Sequence, residues 1–414
     1  FTFEELWKLV EISSISISSL NTKNVISLMS ENSASFVISY LGIINSGKIP
    51  HLIPPEISET NLLAQITSSD SSTIICSKNI YHKILKYNSI KIPIFQFDKI
   101  LKNIDNSTID SKSNDMAYLI YTSGTTSIPK GVGITHFMVD FTTNNIIKIL
   151  KYTNSDIDVL PLPLHHSFGL GCLHTSLCVG STLILLKNTN DLQNILDTIK
   201  KFNATTLAAI PSTLTKLLKF DKDDLQNYFS SIRLIITNST KIPINTIQNF
   251  KTIISNGNLA TYYGLTEASR STFMIFDKNS SYDESVGRPA PNVKIKIVNN
   301  DNEKSRNGEI WIKGDNVIKS YWENKLADEN LDNGWLRTGD LGHIDDGYLY
   351  LLGRTDDVIN IGGEKVLPDE IEKIVKQIDG VDDVVAFGID HEIFGQVIKL
   401  HVIKSSNSTL DKTT

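Results

Sequence analysis

Between Tyr121 and Gly131 the chain reads YTSGTTSIPKG, directly after the apolar run Ala117 to Ile120. Four hydroxyls (Thr122, Ser123, Thr125 and Thr126) surround Gly124, and Lys130 closes the stretch. A glycine admits close backbone approach, hydroxyls donate hydrogen bonds, and a lysine adds a charged donor, a combination suited to phosphate oxygens. The loop is not a Walker A motif. Counted from Gly124, the positions that motif gives to Gly-Lys-Ser/Thr hold Pro129, Lys130 and Gly131.

Four further stretches concentrate polar chemistry at strand ends and turns. They are PLPLHHSFGL (Pro161 to Leu170), YYGLTEAS (Tyr262 to Ser269), GWLRTGD (Gly334 to Asp340) and GRTDDVINIGGEKVLPDEIE (Gly353 to Glu372). Taken alone, each has an ordinary reading: a histidine in an apolar run is commonly a packed core residue, and an acidic residue in a turn is commonly solvated.

The elements that must position these stretches follow from the hydrophobic pattern. Apolar runs of strand length alternate with helical patterns: Thr182 to Leu186, a helix near Asp191 to Phe202, Thr205 to Ile210, then Ile232 to Thr237. Such alternation predicts an α/β fold, a large amino-terminal domain of parallel sheets with helices. From about Asn292 the pattern changes to VKIKIV, GEIWIKG and YLYLLG, short strands that predict a small β-rich subdomain. The polar segment Asp105 to Asn114 reads as a loop. Leu367 to Gln377 reads as a helix with Pro368 in its first turn and Gly380 beyond its end, followed by strands at Asp383 to Gly388 and Val397 to Ile403. One helix and a strand pair are too little for an independent core, so the carboxy-terminal α+β unit is expected to be partial.

Composition narrows the classes further. The chain has 414 residues, 40% hydrophobic and 21% charged, with net charge −6, so it carries no global basic footprint for nucleic acid. Cys76, Cys172 and Cys178 lack zinc or CxxC spacing and predict buried thiols in a reducing, cytoplasmic setting with no metal site of their own. The longest apolar stretches are interrupted by polar residues, so no transmembrane segment is expected. Ile, Asn, Lys and Ser are over-used throughout, and Asn-rich patches therefore carry little functional weight.

YTSGTTSIPKGV resembles the phosphate-loop signature of the acyl-adenylate-forming (AMP-binding) superfamily, which includes acyl-CoA synthetases, peptide-synthetase adenylation domains and luciferases. The other four stretches resemble that family's motifs in its order and at roughly its spacing, over essentially the whole chain. The family usually has glycine where this chain has Ser127.

The resemblance implies residue roles. Thr122, Ser123, Gly124, Thr125, Thr126 and Lys130 would grip the β- and γ-phosphates of ATP; Thr266 would bind the α-phosphate and Glu267 would hold Mg²⁺. Tyr263 would stack on the adenine, Gly264 would belong to the same cofactor-binding set, Asp340 would meet the ribose hydroxyls, and Arg354 the ribose or phosphate. His166 would line the acid pocket, with His165 structural. Asp356 would be the hinge about which the small domain rotates, and Gly362 and Gly363 would line the thiol's approach. The implied domains are residues 1–354, with the β-rich subdomain from about 292, and a partial mobile domain, 355–414.

The implied activity is that of an acid–thiol ligase, with ATP and Mg²⁺ as cofactors. A carboxylic acid becomes acyl-AMP with release of pyrophosphate, then passes to the thiol of CoA or of an acyl carrier protein's pantetheine. HHSFG lacks the acidic residue that pairs a substrate ammonium in amino-acid-activating domains, which turns the expectation toward a fatty or aryl acid. Two features depart from the family: Asn238 and Ser239 stand where small residues usually face the adenine, and the family's late lysine in a Pro/Gly loop is not matched by Lys404 or Lys412. A truncated or non-catalytic nucleotide-binding relative is accordingly the alternative, and an amino-acid-activating domain a further one.

Overall fold

The computed structural model describes residues 1–20, 22–101, 114–122, 129–238, 240–278, 281–299, 306–322, 329–362, 364–405 and 408. All but Asn114 of the expected 105–114 loop falls outside them. Contacts group the chain into two compact units, Phe1–Val293 with Lys313–Leu336, and Lys294–Ile312 with Arg337–Thr414. The short strands read from the sequence as a subdomain of the first domain thus group largely with the carboxy-terminal residues.

The first unit holds two sheets. Strands β1 (Val25–Met29), β2 (Ile49–Ile53), β3 (Ile74–Cys76), β4 (Ile94–Gln96), β5 (Met116–Thr122) and β6 (Lys130–Thr135) form the first, in the order β4-β3-β1-β2-β5-β6. Its pairs are parallel up to β5 and antiparallel at β5–β6. β1 and β2 are buried at every position, as strands covered on both faces must be. Helices such as Ala34–Asn45 supply that cover, and Ser33 starts this one by accepting a hydrogen bond from the Phe36 amide at 3.1 Å.

The second sheet repeats the plan. β7 (Ile157–Leu160), β8 (Thr182–Leu185), β9 (Thr206–Ala208), β10 (Leu234–Thr237), β11 (Asn258–Leu265), β12 (Ala268–Phe276) and β13 (Arg288–Pro289) run in the order β13-β12-β11-β10-β9-β7-β8. The β7 to β11 pairs are parallel, and β11–β12 is an antiparallel hairpin. In both sheets, then, the parallel run ends in a hairpin, and both hairpin ends carry candidate residues. Asn32 stitches the two sheets together: its Nδ2 donates to the carbonyls of Leu162 (2.7 Å) and Leu186 (3.0 Å), and its Oδ1 accepts from the Leu164 amide (2.9 Å).

A third sheet contains β14 (Val293–Val298), β15 (Asn307–Gly314), β16 (Leu331–Asp332), β17 (Trp335–Asp345) and β18 (Tyr348–Arg354). The last contains β19 (Ile359–Ile361), β20 (Glu364–Val366), β21 (Val381–His391) and β22 (Gly395–Lys404), in the order β20-β19-β22-β21. The helix Pro368–Val375 and the long β21–β22 pair match the sequence expectation, while β19 and β20 extend it to a four-stranded sheet. Gly362, at φ 61°, starts the turn between them. Among the described residues no helix is long and apolar enough to cross a membrane. The cysteines are free, but only Cys76 is fully buried; Cys178, near the end of its helix, is exposed, contrary to the expectation of three buried thiols.

Candidate active site

The β5–β6 hairpin sets Thr122 directly opposite Lys130, so the two ends of the hydroxyl-rich loop face each other. Ser123, Gly124, Thr125 and Thr126 lie outside the described residues. Gly131 follows Lys130 beneath Trp322, and a Cβ there would stand 2.9 Å from the Trp322 Cβ.

The β11–β12 hairpin carries Thr266 and Glu267 at its tip. Its register moves from Tyr263 opposite Thr272 to Leu265 opposite Ala268, so Ser269, Arg270 and Ser271 face Gly264 alone. This bulge needs the glycine: a Cβ at Gly264 would lie 2.5 Å from the Ala268 carbonyl and 2.6 Å from the Arg270 amide. Asn316, itself fully buried, fixes the bulge by donating to the Ser269 carbonyl (3.0 Å) and the Ser271 hydroxyl (2.8 Å). Bulges of this kind re-aim side chains beside functional sites.

A strap, residues Val317 to Trp322, joins the two hairpins. Val317 bridges to Ala268, and the Ile318 amide donates to the Glu267 carbonyl at 3.0 Å. At the strap's other end Trp322 bridges to Gly131, its amide 2.8 Å from the Gly131 carbonyl. Between these anchors Tyr321 reaches both candidates. Its hydroxyl donates to Glu267 Oε1 at 3.1 Å, and its ring centroid is 5.8 Å from Lys130 Nζ, inside cation–π range. Glu267 is 9% exposed. Sequence reasoning named Lys130 and Glu267 but missed Tyr321; the aromatic pair Tyr321-Trp322 in a polar stretch was the available signal.

The donor set suits magnesium. Mg²⁺ is usually held by one or two carboxylates together with substrate phosphates and water, not by a protein cage. Glu267 offers one carboxylate whose Oε2 is left over from the tyrosine bond, beside a lysine suited to phosphate, and among the described residues no cluster of three ligating groups competes.

His166 stands immediately before the helix Ser167–Val179, its ring exposed and 4.5 Å, centroid to centroid, from that of buried His165. Surrounding protein lowers the His166 pKa, opposed by the Glu56 carboxylate, and burial pushes His165 down to about 3, so His165 stays neutral. Tyr263, buried on β11, and half-buried Thr266 complete the first unit's candidates.

In the second unit the β17–β18 register places Asp340 opposite Arg354, and Arg354 Nη1 donates to Asp340 Oδ1 at 3.0 Å. The Asp340 amide donates to Thr338 Oγ1 at 3.0 Å, and Gly339 turns the strand at φ 71°. Asp356 is exposed in the turn after β18. Gly363 lies outside the described residues.

Two sheets of largely parallel strands, each ending in an antiparallel pair, are shared with solved adenylate-forming enzymes. The chain belongs to the AMP-binding enzyme family, whose model matches residues 1–322. A long-chain-fatty-acid–CoA ligase of Haemophilus influenzae is 32% identical over 308 residues, covering 71% of this chain and 54% of the relative. An oxalate–CoA ligase of Arabidopsis thaliana is 29% identical over 420 residues, covering 96% of this chain and 81% of the relative. Among solved structures, the o-succinylbenzoate CoA synthetase of Bacillus subtilis in complex with its acyl-adenylate intermediate superposes with TM-score 0.86 at 26% identity, covering 99% of this chain and 84% of that one. The same synthetase has also been solved with ATP and magnesium.

Proposed function

We propose that this chain activates a carboxylic acid with ATP and Mg²⁺, giving acyl-AMP and pyrophosphate, and then delivers the acyl group to the thiol of CoA or of a carrier-protein pantetheine. The observation that carries the reading is the strap that gathers Lys130, Tyr321 and Glu267 onto one wall of the first unit. Attack of a carboxylate on the α-phosphorus is opposed by charge repulsion, so a catalyst needs fixed positive charge and donors around the phosphates while it holds the reactants in line.

Lys130 and Thr122 sit at the mouth of the phosphate-loop hairpin and would bind the β- and γ-oxygens. Thr266 would donate to the α-phosphate. Glu267 would hold Mg²⁺, which supplies charge neutralisation as the bond to the β-phosphate breaks and pyrophosphate leaves. Tyr321 keeps the Glu267 carboxylate in place. His166 would line the entry of the acid. In the second unit, Asp340 would take the ribose role and Arg354 a role at the ribose or phosphate on the strength of the motif, and Asp356 the hinge role. A functional division at 354/355 is part of the same reading.

The acid is expected to be fatty or aryl rather than an α-amino acid, because HHSFG brings no carboxylate for an ammonium. The relatives named above act, by their names, on long-chain fatty acids and oxalate. The deciding measurement is mass spectrometry of acyl-AMP after mixing the chain with ATP, Mg²⁺ and a panel of fatty, aryl, dicarboxylic and amino acids without thiol. Acyl-AMP with one class establishes activation and names the class. No acyl-AMP with any acid, while ATP still binds, rejects catalysis in favour of nucleotide binding alone.

A further inference from the structure

Arg270 is the buried charge that the activation chemistry above leaves unused. It is 3% exposed, yet among the described residues no carboxylate lies within ion-pair distance of it. The acids that could have neutralised it are committed elsewhere. Asp156 pairs with Arg233, Asp158 accepts from the hydroxyls of Ser176, Ser181 and Thr206, and Glu267 takes the Tyr321 hydroxyl. Arg270 itself meets only neutral groups. Nη1 donates to Ser269 Oγ at 2.6 Å, Nη2 to the carbonyls of Ser167 (3.1 Å) and Phe168 (3.3 Å), and the guanidinium lies 4.9 Å from the centre of the Tyr262 ring. Among the described residues its Nε has no partner.

Burying a guanidinium without a counter-charge is costly, and an orphaned N–H adds to that cost. The fold goes to some length to keep it there. The bulge opposite Gly264 breaks the alternation of β12, and Arg270 takes φ 57°, a left-handed conformation that a long side chain seldom adopts. Gly171 leaves the space: a Cβ there would fall 1.9 Å from Arg270 Nη2. Another buried polar atom without a partner among the described residues, Thr237 Oγ1, ends β10, on the far side of β11 from β12. Arg270 follows Thr266 by four residues, across the turn and the bulge of the same hairpin.

We propose that Arg270 is the counter-charge for a second carboxylate on the substrate, so that the acid activated here is a short dicarboxylic acid and not a plain fatty acid. This rests on the acid-activation reading and narrows it: one carboxylate reacts at the hairpin tip, and the other meets the guanidinium and satisfies Nε.

The test compares acids of equal carbon number that differ in the far group, hexanedioate against hexanoate, on wild type, Arg270→Met and Arg270→Lys. Initial rates of pyrophosphate release are measured beside calorimetric binding of each acid. The wild type is expected to favour the dianion in kcat/KM by at least ~10-fold, because a site built around a polar partner rejects the analogue that lacks it. Arg270→Met is expected to erase that ratio, and Arg270→Lys to keep part of it. A wild-type ratio of one or less overturns the proposal, as does a ratio unmoved in a folded Arg270→Met protein.

Should Arg270→Met not fold, Gly171→Ala moves the guanidinium without removing it and is expected to lower the ratio as well; an unchanged ratio there overturns the proposal. If no acid releases pyrophosphate, the activation reading has failed and calorimetry alone decides. Hexanedioate binding that depends on Arg270 sustains the anion site, and no binding to wild type ends it.

Discussion

Replacing Tyr321 with Phe removes one oxygen and keeps the ring. The hydroxyl donates to Glu267 Oε1 at 3.1 Å, and Glu267 is 9% exposed, so little water is at hand to replace the bond. A hydrogen bond to a charged group contributes about 1.5–3 kcal/mol, and the lower end of that range is taken as the minimum loss at the buried Glu267. About 1.5 kcal/mol corresponds to roughly 10-fold in an equilibrium constant. The ring still lies under Lys130, so the phosphate grip is retained and the loss should fall on the metal. The assay is pyrophosphate release titrated with Mg²⁺ at saturating ATP and acid. The concentration for half-maximal rate is expected to rise ~10-fold, while nucleotide binding measured without metal stays near that of the wild type. A folded Tyr321→Phe protein with an unaltered Mg²⁺ requirement would falsify the assignment of Tyr321 as the residue that positions Glu267.

Three further outcomes are expected. Lys130→Ala should slow pyrophosphate release by ~10- to 100-fold while leaving the melting temperature nearly unchanged, since Lys130 is half-buried at a hairpin mouth; an unchanged rate would remove it from the phosphate site. Gly264→Ala should destabilise the protein by about 1–3 kcal/mol, because the added Cβ meets backbone atoms that cannot swing aside, and a calorimetric melt identical to wild type would refute the close packing of the bulge. His51 and His165 are both buried and pushed down to about 3, so on acidification the unfolded chain takes up their protons first. Their stability contribution is complete above pH ~6.5 and declines as pH falls toward ~3, by about 1.4 kcal/mol per unit for each histidine. His165→Gln should flatten the fall of melting temperature between pH 6.5 and 5, and an identical slope would count against the buried neutral ring.

The second sheet was legible because fully buried parallel strands appear as continuous apolar runs, and LIIT is such a run. β19 and β20 were not, because three-residue strands on either side of a glycine turn show no period. Lys130 and Glu267 could be named from their motifs, yet the strap that unites them has no periodicity at all. Arg270 escaped notice for a related reason. Strand alternation assigns a side chain to a face only while the register holds, and three residues opposite Gly264 break it. The Asp340–Arg354 pair was named as two separate contacts to a nucleotide, and the strand register that makes them partners comes from tertiary pairing.

The Asn32 side chain bears on how the first unit melts. Its three hydrogen bonds connect the loop after β1 to residues that follow β7 and β8, more than a hundred positions away in the chain. At a net 0.5–1.5 kcal/mol each, they amount to about 3 kcal/mol of coupling between two sheets that could otherwise open separately. The two halves should therefore exchange their amide hydrogens as one cooperative block, and a ligand gripped by either hairpin should slow exchange in both sheets. Asn32→Ala is expected to split that block into two transitions.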